Sequence, residues 1–401
     1  MAAYESADPR ERSKPRVSPL NDPKIRGIIV QIVLAVAIVA FVAWIAHNTY
    51  ENLRRANIAS GFGFFWQRAG FDISQTLIPY SIESTYGRAF LVGLLNTLLV
   101  AAIGIVLATI LGFLLGVARL SHNFIIRTLA GVYVETLRNI PVLLQLLFWY
   151  KAVLSVLPGP RQGYQLPFGA NLSNRGLILP SFIAGPGFMS TVVAAGIAIV
   201  AVIFLARWAK ARQMATGEPF PVLWTSLAIL IGLPLVVFIA TGSPLTVEYP
   251  ELKGFNFVGG VHIAPEFTAL TLGLVLYTAA FIGEIVRAGI LAVSHGQTEA
   301  AHALGLRRST TLRLVIIPQA LRVIVPPLTN QYLNLTKNSS LAVAVGYPDL
   351  VSVFARTVMN QTGQAVEVIF ITMMVYLTIS VATSLFMNWF NRHIALRGAA
   401  R

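Results

Sequence analysis

Residues Glu299 to Gly305 read Glu-Ala-Ala-His-Ala-Leu-Gly, and a second motif, Pro-Gln-Ala-Leu-Arg, begins at Pro318. This alanine-rich stretch lies between two strongly apolar segments, and its small side chains allow another protein surface to approach closely. Gly305 is able to adopt the left-handed conformation that ends a helix and turns the chain. Ser309 is expected to cap a second short helix, and Pro318 to break the chain before the next apolar segment. The pattern predicts a compact helical loop that leaves room for another protein surface, although Glu-Ala-Ala by itself also fits an ordinary loop helix.

The composition places these motifs in a membrane protein. The chain has 401 residues, of which 56% are hydrophobic and 11% charged, and its mean hydropathy is +0.70. Such values exclude a soluble domain. The net charge of +14 would suggest nucleic acid in a soluble protein. Here the basic residues lie between apolar segments, so we expect no nucleic-acid partner. The chain has no cysteine, which excludes disulfides, thiolate metal sites and cysteine nucleophiles.

Eight apolar segments are long enough to cross a bilayer as helices. They cover approximately 27–47, 89–118, 128–157, 188–206, 222–240, 266–293, 322–346 and 368–390. The expected fold class is therefore all-α, a polytopic helical membrane protein with about eight transmembrane helices. Residues 1–26 and 391–401 are expected to be cytoplasmic tails, the first of them disordered. The segment 27–88 supplies a first helix and an external loop. The external loops 48–88, 158–187 and 241–265 are expected to hold short interfacial helices rather than a separate domain.

The distribution of lysine and arginine predicts the orientation. With the N-terminus inside, the cytoplasmic segments hold 19 Lys and Arg residues and the external segments hold 8. Because positive charge favours the cytoplasmic side, both termini and the Glu299 loop are expected in the cytoplasm.

The third span contains polar groups that do not belong in lipid. Glu135 and Arg138 are three residues apart and able to pair on one helix face, while Pro141 weakens the helix before Gln145. Charged groups within spans usually face a bundle interior or an aqueous path. Arg138 and Gln145 are therefore candidates for the solute path. A structural ion pair at a kinked helix is the alternative.

A second group of polar residues marks the seventh span. Asn330, Asn334, Lys337 and Asn338 recur at helical spacing and form one stripe about two turns long. Hydrogen bonds between helices are one explanation. A lysine in mid-span exceeds what packing requires, so we favour a stripe that lines the solute path. A fixed cation and several amides suit the carboxylate of a zwitterion.

Some sites are absent from the sequence. No lysine follows a glycine, so the chain lacks the Gly-Lys-Ser/Thr step of a phosphate-binding loop. No His, Asp and Glu residues have metal-ligand spacing, and no Gly-x-Ser-x-Gly elbow occurs. We therefore expect neither an ATP site, a metal nor a cofactor in this chain.

Four motifs together resemble those of polar amino-acid ABC importer permeases of the histidine/glutamate/glutamine type. They are Glu135-Thr-Leu-Arg-Asn-Ile-Pro141, Gly283-Glu-Ile-Val-Arg-Ala-Gly-Ile290, Gly296-Gln-Thr-Glu-Ala-Ala301 and Asn334-Leu-Thr-Lys-Asn-Ser-Ser-Leu341. The resemblance implies an ABC type I importer permease domain at 89–390, with a core of five helices. The first helix and the hairpin 188–240 are additions. In this enlarged form the chain is similar to the Q-type permeases of general L-amino-acid transporters of alphaproteobacteria.

The resemblance also implies the function and the partners. The loop 294–320 would contact an ATPase subunit through Glu299, Ala300, Ala301, Gly305 and Pro318. Two ATPase copies, which bind ATP and Mg, a second homologous permease and a periplasmic amino-acid-binding protein would complete an L-amino-acid importer. The chain would be a non-enzymatic, multi-pass protein of the bacterial inner membrane, in contact with lipid. An ion-coupled secondary transporter acting without an ATPase is the alternative, and it would require inverted repeats. A membrane scaffold or signalling subunit is disfavoured by the intramembrane charges.

Overall fold

The computed structural model describes residues 23–55, 60–254 and 256–396. The α-helices are α1 Pro23–Arg55, α2 Tyr86–Ala118, α3 Phe124–Asn139, α4 Val142–Leu147, α5 Phe188–Thr216, α6 Val222–Ala240, α7 Pro265–Leu291, α8 His295–Ala303, α9 Arg308–Thr311, α10 Ile317–Asn338, α11 Met359–Thr362 and α12 Ala365–Leu396. The strands are β1 Tyr164–Gln165, β2 Asn171–Ser173, β3 Gly176–Leu179, β4 Ser181–Ala184, β5 Leu245–Glu248, β6 Glu251–Lys253, β7 Asn256–Val258 and β8 Val261–Ile263. Most of each predicted tail, 1–22 and 397–401, lies outside the described residues.

Seven of the described helices are long and apolar enough to span a membrane, which confirms a helical membrane protein. The third predicted span is interrupted at Pro141, where the sequence predicted a weakened helix. It consists of α3, α4 and a π-helical turn Phe148–Leu154, with an extended residue, Ile140 (φ −94°, ψ 128°), between α3 and α4. Pro141 causes the break, because its ring excludes the helical conformation for the residue before it.

The centre of the bundle is the pair α2 and α7. Gly112 and Gly116 of α2 face α7 so closely that an added Cβ would lie 2.5 Å from Ile282 and 2.6 Å from Val286. Glycines four residues apart thus let the two backbones approach, as expected for a Gly-x-x-x-Gly pair. Because α7 ends just before α8, the most tightly packed helix of the core leads directly into the alanine-rich loop.

The helices outside this bundle have little buried surface. None of the apolar window of α1 and none of that of α6 is buried among the described residues. The apolar side chains of these two helices therefore suit contact with lipid. They belong to the two segments that the sequence identified as additions to a five-helix core.

The segments flanking the α5–α6 hairpin are not interfacial helices, so that expectation was wrong for 158–187 and 241–265. They form an antiparallel sheet of order β1-β2-β3-β8, together with the two-stranded pairs β4–β5 and β6–β7. We call the four-stranded structure the external sheet. Its edge strand β8 pairs with β3, which places Leu177 opposite Ile263 across the whole hairpin. The loop 48–88 does contain a short 3₁₀ helix, Gly63–Trp66, whose Phe64 is buried against Phe354.

Candidate functional site: a helical loop and a polar groove

The alanine-rich loop ends its helix α8 with a specific hydrogen-bonded turn. Gly305 has φ +72°. The Gly305 amide donates to the carbonyl of His302 (2.9 Å), and the Leu306 amide donates to the carbonyl of Ala301 (3.1 Å). These two bonds form a Schellman motif, which requires a left-handed residue at the position of Gly305. The structure thus gives the glycine the conformation that the sequence predicted.

The loop presents a small-residue surface with one large apolar side chain. Ala301 is buried, whereas Ala300 and Ala303 are exposed and Leu304 is 79% exposed. Glu299 is also exposed, and its carboxylate lies 3.0 Å from Nδ1 of His295 one turn earlier. The protruding leucine provides apolar contact area, and the small alanines around it do not obstruct a partner surface. This surface is therefore suited to a protein partner.

The second half of the loop differs from the prediction at two residues. Ser309 caps no helix: Arg307 occupies the N-cap of α9, and Ser309 lies inside that helix. Pro318 does not break the chain, because α9 continues through a π-helical turn, Leu312–Ile316, into α10. Pro318 lies in the first turn of α10, where the missing amide of proline is tolerated. Loop and span therefore form one continuous helical element.

A cluster of charged residues ties three helices together beside this loop. Glu284 binds Arg287, three residues further along α7, at 2.6 Å, and it also binds Arg119 at the end of α2. Glu135 of α3 pairs with Arg119 at 3.3 Å rather than with Arg138, so the predicted Glu135–Arg138 pair was wrong. Arg119 thereby connects α2, α3 and α7.

Arg138 and Gln145 contact the protein itself. The Arg138 guanidinium lies 5.3 Å from the centre of the Phe281 ring on α7, with its Nε buried and without a partner among the described residues. Gln145 is 5% exposed. Its amide nitrogen donates to the carbonyls of Leu137 and Ile140, both at 2.9 Å. Gln145 thus satisfies carbonyls freed by the helix break, which is a structural role. A place for either residue in the solute path stays a prediction.

The polar stripe of α10 lies on one exposed face. Asn330, Asn334 and Lys337 are exposed and Asn338 is half-buried. In the described ranges, none of the four side chains has a hydrogen bond or ion pair to the rest of the chain. An ammonium and three amides at the surface of a span are costly in lipid. The face must therefore meet water, a solute or another subunit.

Lys337 also lines a groove of about 450 Å³ between α10 and α12. The other lining residues are Ser340, Val351, Thr372, Met373, Tyr376, Leu377 and Ser380. Sequence reasoning missed the α12 side of this groove. Thr372, Tyr376 and Ser380 are each four residues apart, so they share one face of the eighth span and could have been found by that spacing.

A buried carboxylate lies behind the groove. Asp349 is fully buried; one oxygen accepts from the amide of Ser352 at 2.8 Å, and the other accepts from the Tyr376 hydroxyl at 3.4 Å. Burial raises the pKa of Asp349 to about 7, because its effect is larger than that of the hydrogen bonds, which lower the pKa. The groove thus has a cation, Lys337, on one side and hydroxyl groups backed by a carboxyl on the other. This arrangement is able to bind both ends of a zwitterion.

Within 23–55, 60–254 and 256–396, no three His, Asp or Glu side chains are grouped to hold a metal ion.

Comparison with known proteins identifies the family of the chain. The inner membrane component of binding-protein-dependent transport systems matches residues 216–396. The general L-amino acid transport system permease protein AapQ of Rhizobium johnstonii is 57% identical over 379 residues, 94% of each chain. This chain belongs to the permease family of binding-protein-dependent ABC transport systems. The permease is also 43% identical to the glutamate/glutamine/aspartate/asparagine transport system permease protein BztB of Rhodobacter capsulatus, across 94% of this chain and 96% of that one.

A solved structure is also similar. It is the crystal structure of an amino acid ABC transporter with histidines, which is 21% identical to the permease in sequence. The superposition has a TM-score of 0.46 and covers 77% of this chain and 95% of the other chain.

Family membership carries three consequences. The permease is a transport component rather than an enzyme, and it is integral to the inner membrane. It works with an ATPase subunit and a substrate-binding protein. Nothing in the comparisons supports the ion-coupled alternative.

Proposed function

We propose that the permease is one half of an ATP-driven importer that carries L-amino acids from the periplasm to the cytoplasm. The amino-acid cargo of AapQ and BztB supports this substrate class. The observation that carries the proposal is the polar face of α10: three exposed polar side chains, with Lys337 beside the groove, have no partner within the described chain.

The chemistry of the groove fits an amino acid. The Lys337 ammonium is able to bind the α-carboxylate, and the hydroxyls of Tyr376 and Ser380 are able to accept from the α-ammonium. Met373 and Leu377 provide apolar contact for the side chain. The path would continue along Asn334 and Asn330 at the interface with a second, homologous permease.

The α8 loop would contact the ATPase. Glu299, Ala300 and Gly305 would form or shape the contact surface, together with Ala301 and Pro318, with Leu304 as its exposed apolar centre. Two ATPase copies would bind ATP and Mg. Their closure would pull the loop and, through α7, switch the path from inward- to outward-facing. Both termini would be cytoplasmic.

Reconstitution tests the proposal. The permease is purified with its native partners and placed in liposomes that contain ATP, and uptake of labelled L-amino acids is measured with and without the binding protein. We expect uptake that requires both ATP and the binding protein. Uptake that follows an ion gradient and ignores ATP would refute the proposal.

A further inference from the structure

The external sheet has no role in the groove or in the α8 loop. It is built entirely from the two segments that flank the α5–α6 hairpin. In the proposed orientation it lies on the periplasmic side, where the substrate-binding protein approaches.

The sheet is firmly attached to the core. Its last strand, β8, ends at Ile263, two residues before α7 begins at Pro265. Gly176 of β3 approaches so closely that an added Cβ would lie 2.2 Å from the carbonyl oxygen of Ile263. Ile178 of the same strand is 1% exposed. A force on the sheet would therefore act on the external end of α7, the helix whose other end leads into α8.

The turn between β1 and β2 has an unusual conformation. Phe168 is 92% exposed although its φ is +61°. A bulky residue in the left-handed region is strained, and the ring of Phe168 stays exposed in spite of this strain. Gly169 follows with φ +76°, and an added Cβ there would lie 2.6 Å from the Tyr249 ring. The turn therefore packs closely against Tyr249, the residue that follows β5.

Two other exposed aromatic residues belong to this region: Tyr164 lies in β1, and the ring of Tyr249 lies beside Gly169. Tyr164 is 57% exposed and Tyr249 is 58% exposed. Tyr249 also lines a cavity of about 490 Å³ beside the turn, which has room for side chains of a partner. Aromatic residues held on a rigid platform are typical centres of protein interfaces, because they bury much area at small entropic cost.

We propose that Phe168, with Tyr164 and Tyr249, contacts the substrate-binding protein when it docks on the permease. The inference rests on the proposed function. The partner is implied by the family, works on the side where the sheet lies, and would act at the external end of α7. An outer-leaflet lipid surface is the rival occupant.

The test uses the reconstituted complex in nanodiscs, with ATP hydrolysis measured against the concentration of binding protein. Phe168→Gly removes the ring and also relieves the backbone strain, so the fold of the turn is preserved. We expect the half-saturating concentration of binding protein to rise about tenfold or more, with basal hydrolysis unchanged. Phe182→Ser, at a 68% exposed phenylalanine of β4 outside the sheet, is the matched control and should leave the curve unchanged.

A fluorescent label separates the two occupants. Since the chain has no cysteine, Phe168→Cys carries an environment-sensitive dye at one position of the permease. A dye signal that changes with binding protein supports the proposal. Quenching by brominated lipid without such a change would overturn it, as would a Phe168→Gly curve equal to that of the parent. If the unaltered complex fails to respond to the binding protein, the proposed function itself is refuted.

Discussion

Gly305 offers the sharpest test of the α8 loop, because its role is purely conformational. At φ +72° an added Cβ meets no atom within 4 Å, so a substitution introduces backbone strain without a clash. The left-handed conformation costs an L-residue roughly 1–2 kcal/mol, and a β-branched residue is among the least tolerant. If the turn opens instead, two hydrogen bonds of the Schellman motif are lost, worth about 0.5–1.5 kcal/mol each.

We therefore expect Gly305→Val to weaken association with the ATPase by about 5- to 30-fold, since 1.4 kcal/mol corresponds to a factor of ten. The assay titrates purified ATPase subunit onto the permease complex and measures transport per ATP hydrolysed. The level of the protein in the membrane should not change, because Gly305 is exposed and outside the bundle.

Two variants control the interpretation. Gly305→Asn should retain most of the association, because asparagine tolerates the left-handed region. Gly296→Ala lies in the same loop, where φ is not positive and the nearest atom to an added Cβ is Oγ of Ser294 at 3.7 Å. It should leave association unchanged. Normal coupling in Gly305→Val, or equal losses in the Val and Asn variants, would refute the reasoning.

Three further outcomes are expected. Lys337→Met should lower uptake, normalised to assembled complex, by more than about tenfold, because one charge-assisted hydrogen bond is worth about 1.5–3 kcal/mol; unchanged normalised uptake would leave only a packing role. Cysteines introduced at Ser121, Thr216 and Ser309 should resist an impermeant thiol reagent in intact cells, and ready labelling from outside would overturn the cytoplasmic placement of these loops. Asp349→Asn should raise the melting temperature of the complex at pH 8 but not at pH 4. The pKa of Asp349 is about 7 in the folded state and about 3.9 in the unfolded state. The folded state therefore binds the proton more tightly, and the contribution of Asp349 to stability is lost as the pH rises from about 4 to 7. A melting difference that is the same from pH 4 to 8 would contradict the buried carboxyl.

Local chemistry made part of the site predictable from sequence. The turn at Gly305 depends on one residue and its immediate neighbours, and the Glu284–Arg287 pair depends on a spacing of three along one helix. The stripe from Asn330 to Asn338 follows from helical periodicity alone. Hydropathy located the apolar segments, because each span needs enough apolar residues to cross the bilayer whatever its neighbours are.

Tertiary contacts decided the rest. Glu135 pairs with Arg119 rather than with Arg138 because packing brings the end of α2 beside α3. The spacing of residues along the chain does not reveal this contact. The Gln145 amide nitrogen donates to the carbonyls of Leu137 and Ile140 at the break before Pro141, a contact that depends on how the chain folds back there. The external sheet pairs Leu177 with Ile263 across the α5–α6 hairpin. Strand pairing depends on which distant segment supplies the facing backbone, so its partners are fixed only when the hairpin brings β3 and β8 together.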